Sequence, residues 1–328
     1  MRYAAVVRGA GSYLPERILS NDEISQLVDT TDQWIQERTG IKSRHVAADG
    51  EFTSDLAAHA ARRALVDAGV KASDIDLIVL ATTTPDKTFP ATAAIVQAKI
   101  DAAICTAFDV QAVCCGFVFA LATASAFLQQ GTHRKALVIG AETFTRIVDW
   151  TDRSTCVLFG DGAGAFVLEA EQLASGENDD PSRKGILASH TVTDGRLADL
   201  LHVDGGPSTT GTVGHVKMQG NRLFRQAIDR ICNAMEVVSA KAGISMQEID
   251  WFVPHQANER ILNGVVERLS LDRSKVVSTI ADQGNTSAAS IPLAFDEAKR
   301  DGRLKPGDLI MIEGLGGGLT WGAALLRL

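Results

Sequence analysis

The chain has 328 residues, of which 45% are apolar and 22% charged, and its formal net charge at pH 7 is −8. This composition is typical of a globular protein with ample core, and the negative charge argues against a general nucleic-acid-binding protein. No run of about 18 uncharged apolar residues predicts a membrane-spanning helix. The five cysteines form no C-x-x-C pair, which favours reduced thiols in a cytoplasmic protein over a disulfide framework or a zinc site.

In chain order, the first half alternates strand-like and helix-like runs. The start, "MRYAAVVRGAGSYLP", predicts a strand and a turn, because Arg8 and Gly11 interrupt it too early for a signal peptide. The helical run "SDLAAHAARRALVDAG" then precedes the strand in "SDIDLIVLATTTP". Next, "DVQAVCCGFVFAL" changes from strand to helix, and "KALVIGAE" and "FGDGAGAFVLEA" are further strands. Such alternation predicts an α/β fold with largely parallel sheets covered by helices.

The second half repeats this order. Its four counterparts are "QEIDWFVPHQANE", "VVSTIADQGNTSAASIPLAFDEAKRDG", "GDLIMIEG" and "GLGGGLTWGAALLRL". Four elements in the same order at similar spacing favour a duplication over chance. We therefore predict two similar α/β halves, residues 1–175 and 176–328, with the polar segment from Glu171 to Gly185 as the candidate linker.

The glycine-rich stretch "GDGAGAF" has two interpretations. A loop that cradles phosphate should follow a strand and open a helix. Here the residues after Gly164, "AFVLEA", have a strand pattern instead. The stretch therefore favours a tight turn and close backbone packing over a dinucleotide site.

Two adjacent cysteines, Cys114 and Cys115, lie at a predicted strand-to-helix junction. A thiol at a helix N-terminus is near unpaired N–H groups, which favours the thiolate and predicts a nucleophile. The alternative is that both are small core residues, since free cysteine is often buried. Helical spacing leaves the choice between them open, because Cys114 is three residues before Phe117 and Cys115 four before Phe119.

Polar loops fall at corresponding positions in the two halves. The elbow with Cys114, the loop "VPHQAN" with His255 and the loop "DQGNTSAAS" with Asn285 each follow a predicted strand. Halves related by a pseudo-twofold axis would bring these loops to one centre, and Cys, His and Asn form a coherent catalytic set. A neutral imidazole, an amide and the backbone N–H groups of the glycines at 316–318 can all donate to an oxyanion.

Several of these motifs together resemble one family. "TDQWIQERTGIKSRH", "DVQAVCCGF", "FGDGAGA", "VPHQAN", "GNTSAAS" and "GGGLTWGAALLRL" are similar, in order, to the β-ketoacyl-acyl-carrier-protein synthase III family. The resemblance covers nearly the whole chain. It implies the thiolase fold, with two similar halves in five αβαβα layers, in a homodimeric cytoplasmic acyltransferase of fatty acid biosynthesis.

The resemblance also implies a mechanism. The family pattern D-x-x-A-x-C-x-G-F makes Cys114 the nucleophile and leaves Cys115 as a small packing residue. An acyl-CoA primer would acylate Cys114. Malonyl-acyl-carrier protein would then lose CO₂, with the enolate held by His255 and Asn285. The backbone N–H groups of Cys114 and Gly317 would form the oxyanion hole, and no metal or redox cofactor would be required.

Further residues are implied at the binding surfaces. Those expected to bind CoA are Trp34, Arg38, Arg153, Asn221 and Asn258. Those expected at the acyl pocket are Phe159, Leu315 and, from the partner subunit, Phe89. The carrier protein is acidic, so a basic docking patch is expected at Lys217, Arg222, Arg225 and Arg260.

Four other functions remain alternatives at this point. A degradative thiolase has the same fold, but it needs a second cysteine near the C-terminal glycines, and "GLGGGLTWG" has none. A related condensing enzyme of secondary metabolism would take a different acyl primer. A non-catalytic carrier-protein scaffold would not need the Cys–His–Asn set. A cysteine peptidase would need a histidine placed to deprotonate the thiol.

Overall fold

The computed structural model describes residues 2–174 and 180–328. Two sheets dominate it. The first has the strand order β1-β7-β6-β4-β5, and the second has the order β11-β12-β13-β8. The strands of the first sheet are β1 (Tyr3–Tyr13), β4 (Leu77–Ala81), β5 (Thr106–Val110), β6 (Lys135–Glu142) and β7 (Gly162–Gln172). Those of the second are β8 (Gly185–Thr193), β11 (Trp251–Pro254), β12 (Leu309–Gly316) and β13 (Thr320–Arg327).

The two sheets have the same topology. In the first, β4 is parallel to both β5 and β6, whereas β7 is antiparallel to β6 and β1. In the second, β11 is parallel to β12, whereas β13 is antiparallel to β12 and β8. The counterpart of β5 is reduced to a single parallel bridge between Phe252 and Val276. The duplication is thus visible in the fold. The prediction of largely parallel sheets was wrong, because β7 and β1 add antiparallel pairs to the first sheet, and β13 and β8 add them to the second.

Helices form three layers around these sheets. Helices α3 (Thr53–Ala68) and α4 (Thr92–Lys99) cover the outer face of the first sheet. Between the sheets lie α5 (Gly116–Gln129) and α10 (Ser290–Arg300), each in contact with strands of both. Helix α7 (Gly220–Ala242) covers the second sheet, and α8 (Glu259–Leu269) packs against α7. The result is the predicted five-layer αβαβα arrangement.

Smaller elements complete the described chain. They are β2 (Arg17–Ser20) paired with β3 (Ser43–Val46), β9 (Leu201–Val203) paired with β10 (Val216–Met218), and helices α1 (Asn21–Ser25), α2 (Asp32–Thr39), α6 (Arg153–Cys156) and α9 (Ile280–Gln283).

Sequence pattern explains which helices are central. In α5, "GFVFALATASAFLQ" is apolar on nearly all sides, which suits a helix enclosed by two sheets. In α7, the buried residues recur every three or four positions, for example Leu223, Ala227, Ile231 and Met235, and the opposite face is polar. The same amphipathic pattern places α7 on the outside of the molecule.

The predicted linker, Glu171 to Gly185, overlaps the last two residues of β7 and the first residue of β8, and the boundary between residues 175 and 176 falls outside the described residues. The stretch "GDGAGAF" opens β7 and not a helix, as the strand interpretation required. A Cβ at Gly164 would meet Pro292 of α10 at 2.7 Å, so this glycine permits close packing of strand on helix.

Close backbone contact joins the two halves. A Cβ on Gly140 of β6 would lie 2.2 Å from the carbonyl oxygen of Ala288, in the other half. In the same way, a Cβ on Gly314 of β12 would lie 3.1 Å from the carbonyl oxygen of Cys114. Corresponding strands therefore each use a glycine to let the opposite half's strand-to-helix segment approach.

We predict that Gly140→Ala lowers the free energy of unfolding by about 2–4 kcal/mol, because the new methyl group would overlap a backbone atom that cannot move freely. Gly195→Ala is the matched control, since a Cβ there meets nothing within 4 Å, and it should change stability by less than about 0.5 kcal/mol. Denaturant unfolding of both variants provides the measurement. Equal stability of the two would contradict the close-packing argument.

Candidate active site

The elbow that carries Cys114 begins where β5 ends. A single 3₁₀ turn, Val113–Cys115, leads directly into α5. Val113 has a φ of 49°, which is uncommon for a β-branched residue and marks a sharp, strained turn. The turn places Cys114 on the wall of a cavity of about 560 Å³.

The structure separates the two cysteines. Cys114 lines the cavity, whereas Cys115 is fully buried in the core cluster that contains Phe117 and Leu121. Burial raises the pKa of the Cys114 thiol to about 12 and that of Cys115 well above its usual value. The expected thiolate at the helix N-terminus is therefore not the resting form, because desolvation of the enclosed sulfur dominates. The raised pKa favours the neutral thiol form of Cys114 in this enclosed place.

His255 follows β11 and also lines the cavity. Its backbone N–H donates to the carbonyl oxygen of Glu313 at 2.8 Å, and its Nδ1 lies 2.6 Å from Ser290 Oγ. Ser290 Oγ also accepts the Gln256 backbone N–H at 3.3 Å, and its own proton can be donated to Nδ1 of His255. We assign the tautomer with the proton on Nε2. Burial lowers the pKa of His255 to about 3, so the ring is a neutral N–H donor.

Asn285 is held at the third side of the cavity. Its backbone N–H donates to the Leu158 carbonyl at 2.9 Å, and its Oδ1 accepts the Ser287 N–H at 2.9 Å. The side-chain Nδ2 has only a long contact of 3.5 Å with the Ala257 carbonyl oxygen. Because the oxygen of the amide is engaged, its NH₂ group is the end available to a ligand.

The turn between β12 and β13 packs against the Cys114 elbow. Thr320 Oγ1 contacts the Ala112 carbonyl at 2.8 Å and the Gly317 carbonyl at 3.1 Å. A Cβ on Gly316 would lie 2.6 Å from the Cys114 nitrogen, and one on Gly317 would lie 2.7 Å from the Leu201 carbonyl oxygen. Only glycines fit here, so the backbone of this turn can lie next to the Cys114 N–H.

Four buried polar residues around this centre were missed by the sequence interpretation. Ser287 and Ser290 were inside the quoted motif "GNTSAAS", but only the fold shows that Ser290 contacts His255. Glu142, at the end of β6, and Glu313, on the cavity wall, carried no sequence signal beyond being acidic residues in apolar strands. Burial raises the pKa of Glu313 to about 8 and that of Glu142 to about 7.

The predicted CoA-binding residues fall into two groups. Arg38 and Arg153 both stack on half-buried Trp34, at 4.4 and 4.9 Å from its ring centroid. The expected slot between Trp34 and Arg153 is therefore closed, and an adenine ring would have to displace the guanidinium. Asn221 and Asn258 line the cavity. Asn258 also caps α8 by accepting the Arg260 N–H at 2.8 Å, a role that the sequence interpretation did not include.

The expected acyl-pocket residues are also split. Phe159 and Leu315 line the cavity, and Phe159 is held by stacking on Phe144 at 4.3 Å. Phe89 is 82% exposed and does not line the cavity of its own chain among the described residues.

Three of the four predicted docking residues surround the cavity entrance region. Arg225 and Arg260 line the cavity and are exposed, and Arg222 is exposed one turn before Arg225 on α7. Lys217 differs, because its ammonium group already lies 3.8 Å from Asp149 and 3.6 Å from Asp204.

Two further properties concern residues 2–174 and 180–328. No group of three or more His, Cys, Asp or Glu side chains there could hold a metal ion. Within the same ranges, no helix combines the length and apolar character needed to cross a membrane.

Two family models match parts of the chain, and whole curated proteins match nearly all of it. The family described as 3-oxoacyl-[acyl-carrier-protein] synthase III matches residues 108–195, and its C-terminal part matches residues 239–328. A curated β-ketoacyl-[acyl-carrier-protein] synthase III from Hyphomonas neptunium is 62% identical over 322 residues, 98% of each chain.

Two solved structures have nearly the same fold. The 3-oxoacyl-[acyl-carrier-protein] synthase III from Aquifex aeolicus is 44% identical with a TM-score of 0.91, over 99% of this chain and 100% of that one. The priming β-ketosynthase of the R1128 polyketide biosynthetic pathway is 35% identical with a TM-score of 0.92, over 100% of this chain and 97% of that one.

Two duplicated α/β halves around a cavity with a cysteine, a histidine and an asparagine define a thiolase-fold acyltransferase of the condensing type. The chain belongs to the 3-oxoacyl-[acyl-carrier-protein] synthase III family of fatty acid biosynthesis. The predicted fold, family and enzyme class are thereby confirmed.

Proposed function

We propose that the chain condenses an acyl-CoA primer with malonyl-acyl-carrier protein, through an acyl group carried on Cys114. The observation that supports this most directly is the single cavity lined by Cys114, His255 and Asn285, with exposed arginines at its rim. The proposed steps use only side chains and backbone groups of the protein, so acyl-CoA enters as a substrate and neither a metal nor a redox cofactor takes part.

In the first half-reaction, the sulfur of Cys114 attacks the thioester carbonyl of the primer and CoA leaves. The N–H groups of Cys114 and Gly317 are proposed to hold the oxyanion of the tetrahedral intermediate. The packing of the glycine turn onto the Cys114 nitrogen supports this assignment. The primer chain then lies along the apolar wall formed by Phe159 and Leu315.

In the second half-reaction, the malonyl group loses CO₂ and becomes a thioester enolate that attacks the acyl-Cys114. Nε2–H of His255 and the NH₂ group of Asn285 are proposed to hold the enolate oxygen. Both are neutral donors in a desolvated cavity, where such hydrogen bonds are strong. A neutral histidine also avoids a permanent ion pair with the incoming carboxylate.

The entrance is proposed to bind CoA and the carrier protein in turn. Trp34 would stack on the adenine after Arg153 has moved from its face, with Arg38 beside it, and Asn221 and Asn258 would line the pantetheine path. Arg222, Arg225 and Arg260 would attract the acidic carrier protein, whereas Lys217 is largely neutralised by its two aspartates.

We further propose a homodimer that forms at the β5 edge of the first sheet. Strand β5 has a neighbour only on its β4 side among the described residues, and the apolar side chains of Phe89 and Ile104 near it are fully or almost fully exposed. Exposed edges and large apolar side chains are typical of an interface. Phe89 of one chain would then close the acyl pocket of the other.

A cytoplasmic location fits a chain that acts on CoA and carrier-protein thioesters.

The second candidate is a related condensing enzyme that primes secondary metabolism with a different acyl group. The 35% identity to the priming β-ketosynthase favours it as the alternative. Rates measured across acyl-CoA chain lengths separate the two proposals.

We predict that Cys114→Ser abolishes acyl-enzyme formation from acetyl-CoA, whereas Cys115→Ala largely retains it, because only Cys114 reaches the cavity. Intact-mass measurement after incubation with acetyl-CoA alone detects the single added acetyl group. The reverse pattern would show that Cys115 is the nucleophile.

We predict that His255→Ala and Asn285→Ala separate the half-reactions. Each variant should still be acetylated at Cys114, but CO₂ release from malonyl-acyl-carrier protein should fall about 10²–10³-fold, as for loss of an oxyanion donor. The double variant should lose less than the product of the single losses, because both donors act on one oxygen. Normal CO₂ release from either variant would contradict the role assigned to that residue.

We predict that Arg222→Glu combined with Arg225→Glu raises KM for malonyl-acyl-carrier protein about tenfold or more, with little effect on priming. The effect should shrink in high salt, because screening acts beyond about 10 Å at 0.1 M. Arg62→Glu is the control, since it reverses an exposed charge on α3, on the opposite outer layer. An equal loss for both substrates would remove the docking assignment.

A further inference from the structure

Arg44 of β3 is a buried cation that the proposed reaction does not use. Its side chain is fully enclosed and is among the largest buried side chains of the molecule. Burial lowers the pKa of its guanidinium to about 10, so the group is still charged at neutral pH. No carboxylate forms an ion pair with it within residues 2–174 and 180–328. An apolar side chain of similar volume is often more stabilising than an enclosed charge, which indicates a role other than stability.

The guanidinium donates to three oxygen atoms, none of which is charged. Its Nη1 donates to the Leu19 carbonyl at 3.2 Å and to Asn21 Oδ1 at 2.8 Å, and its Nη2 donates to the Val157 carbonyl at 2.8 Å. The bond to Val157 reaches the catalytic centre, because Val157 directly precedes Leu158 on the cavity wall. Arg44 itself does not line the cavity among the described residues.

The segment that begins at Val157 holds the backbone of Asn285. The Leu158 carbonyl accepts the Asn285 N–H at 2.9 Å, and the Gly160 N–H donates to the Asn285 carbonyl at 3.0 Å. Together the two bonds form a parallel β-bridge between Phe159 and Asn285. A shift of the segment would therefore move Asn285, and with it the NH₂ group that is available to a ligand.

The aliphatic stem of Arg44 packs against the same bridge. A Cβ on Gly160 would lie 2.9 Å from Arg44 Cβ, and one on Gly284 would lie 3.1 Å from it. Gly160 follows Phe159 in the first segment, and Gly284 precedes Asn285 in the second, so the stem touches the backbone of both partners in the bridge. Stem and guanidinium thus support one structural unit.

The contact of the guanidinium with Asn21 leads to a different region. Asn21 Nδ2 donates to the Ile41 carbonyl at 2.7 Å and to Asp32 Oδ1 at 2.8 Å, at the start of α2. Helix α2 carries Trp34 of the proposed CoA entrance. A change at Asn21 therefore disturbs the same guanidinium without removing its bond to Val157.

We propose that Arg44 is a positioning residue for Asn285, which it holds at the cavity through the segment from Val157 to Gly160. This inference rests on the proposed role of Asn285 as a donor to the enolate oxygen. Since Arg44 acts only through Asn285, its loss should slow the step that uses the enolate and spare the acylation of Cys114. Displacement of a catalytic group by about 1 Å can lower a rate by about 10²-fold.

The first test compares the two half-reactions in Arg44→Lys. Lysine keeps the positive charge but replaces the planar fork of donors by one ammonium group. CO₂ release from malonyl-acyl-carrier protein should fall at least about tenfold, in kcat more than in KM, because the enolate oxygen gains its charge in the transition state. Acetylation of Cys114 by acetyl-CoA should change by less than about threefold. Arg44→Met, which has no donor, should lose more CO₂ release than Arg44→Lys.

A double variant shows whether Arg44 acts through Asn285. In the Asn285→Ala background, Arg44→Lys should reduce CO₂ release by less than about twofold further, because the amide that it positions is already absent. If the two losses multiply, Arg44 acts independently of Asn285 and the proposal is overturned. Equal losses in acetylation and CO₂ release would overturn it too, since they would show general support of the cavity.

Asn21→Ala is the matched control, because it removes another partner of the same guanidinium. Its thermal midpoint should fall, but its CO₂ release should change by less than about threefold. If Asn21→Ala and Arg44→Lys lose CO₂ release equally, the guanidinium is a structural support and not a positioning group for Asn285. Should Arg44→Met fail to fold, Arg44→Lys and Asn21→Ala still decide the question.

Hydrogen exchange followed by mass spectrometry tests the proposal without any substrate. In Arg44→Lys, exchange should accelerate in peptides that contain the amides of Gly160 and Asn285, both of which are hydrogen-bonded in the bridge. Peptides of α5 should exchange as in the unaltered protein. Unchanged exchange at the bridge would contradict the proposal. Faster exchange in the variant, together with no CO₂ release by the unaltered protein, would instead refute the proposed function alone.

Discussion

The catalytic centre depends on backbone contact between the two halves. Each half contributes a strand-to-helix elbow, and each elbow lies against a glycine in the corresponding strand of the other half. Gly314 admits the carbonyl of Cys114, and Gly140 admits the carbonyl of Ala288. A Cβ at Gly140 would overlap the Ala288 carbonyl at 2.2 Å, and one at Gly314 would press on the Cys114 carbonyl at 3.1 Å, so a side chain at either position would push an elbow away from its strand. Packing and chemistry are therefore set by the same contacts.

This close packing also determines the protonation of the centre. The same desolvation raises the pKa of Cys114, Glu142 and Glu313 and lowers that of His255, so each group moves toward its neutral form. A centre of neutral donors suits a reaction in which negative charge appears only in passing, on a tetrahedral oxygen or an enolate. The positive charges stay at the rim, where Arg225 and Arg260 are exposed. The exposed rim thus holds the positive charges that can attract anionic ligands, whereas the neutral donors lie in the buried centre.

Local sequence patterns were sufficient for the duplicated α/β elements and the elbow of Cys114, because strands, turns and helix starts depend on neighbouring residues. The antiparallel sides of the sheets were mispredicted, since the pairing of β1 with β7 joins residues that are between 150 (Tyr13 and Ala163) and 169 (Tyr3 and Gln172) positions apart. The contact of Ser290 with His255, the stacking of Arg153 on Trp34 and the ion pairs of Lys217 also required the fold. Resemblance to the family supplied roles for single residues, but it did not indicate the buried carboxyl of Glu142.

The duplication provides two equivalent places, one beside each elbow. Only the place beside Cys114 forms a cavity among the described residues. The counterpart of Cys114 in the second elbow is Ala288, and the counterpart of His255 after the matching strand is Ala81. Both alanines are buried and close around Gly116, where a Cβ would meet them at 3.1 and 3.3 Å. Small side chains close this second place to ligands. The carboxyl of Glu142 lies at the end of the strand beside this closed place, where it accepts a hydrogen bond from Thr84 Oγ1 at 2.7 Å. A duplicated fold can in this way keep one of its two equivalent places for a ligand cavity and fill the other with small side chains.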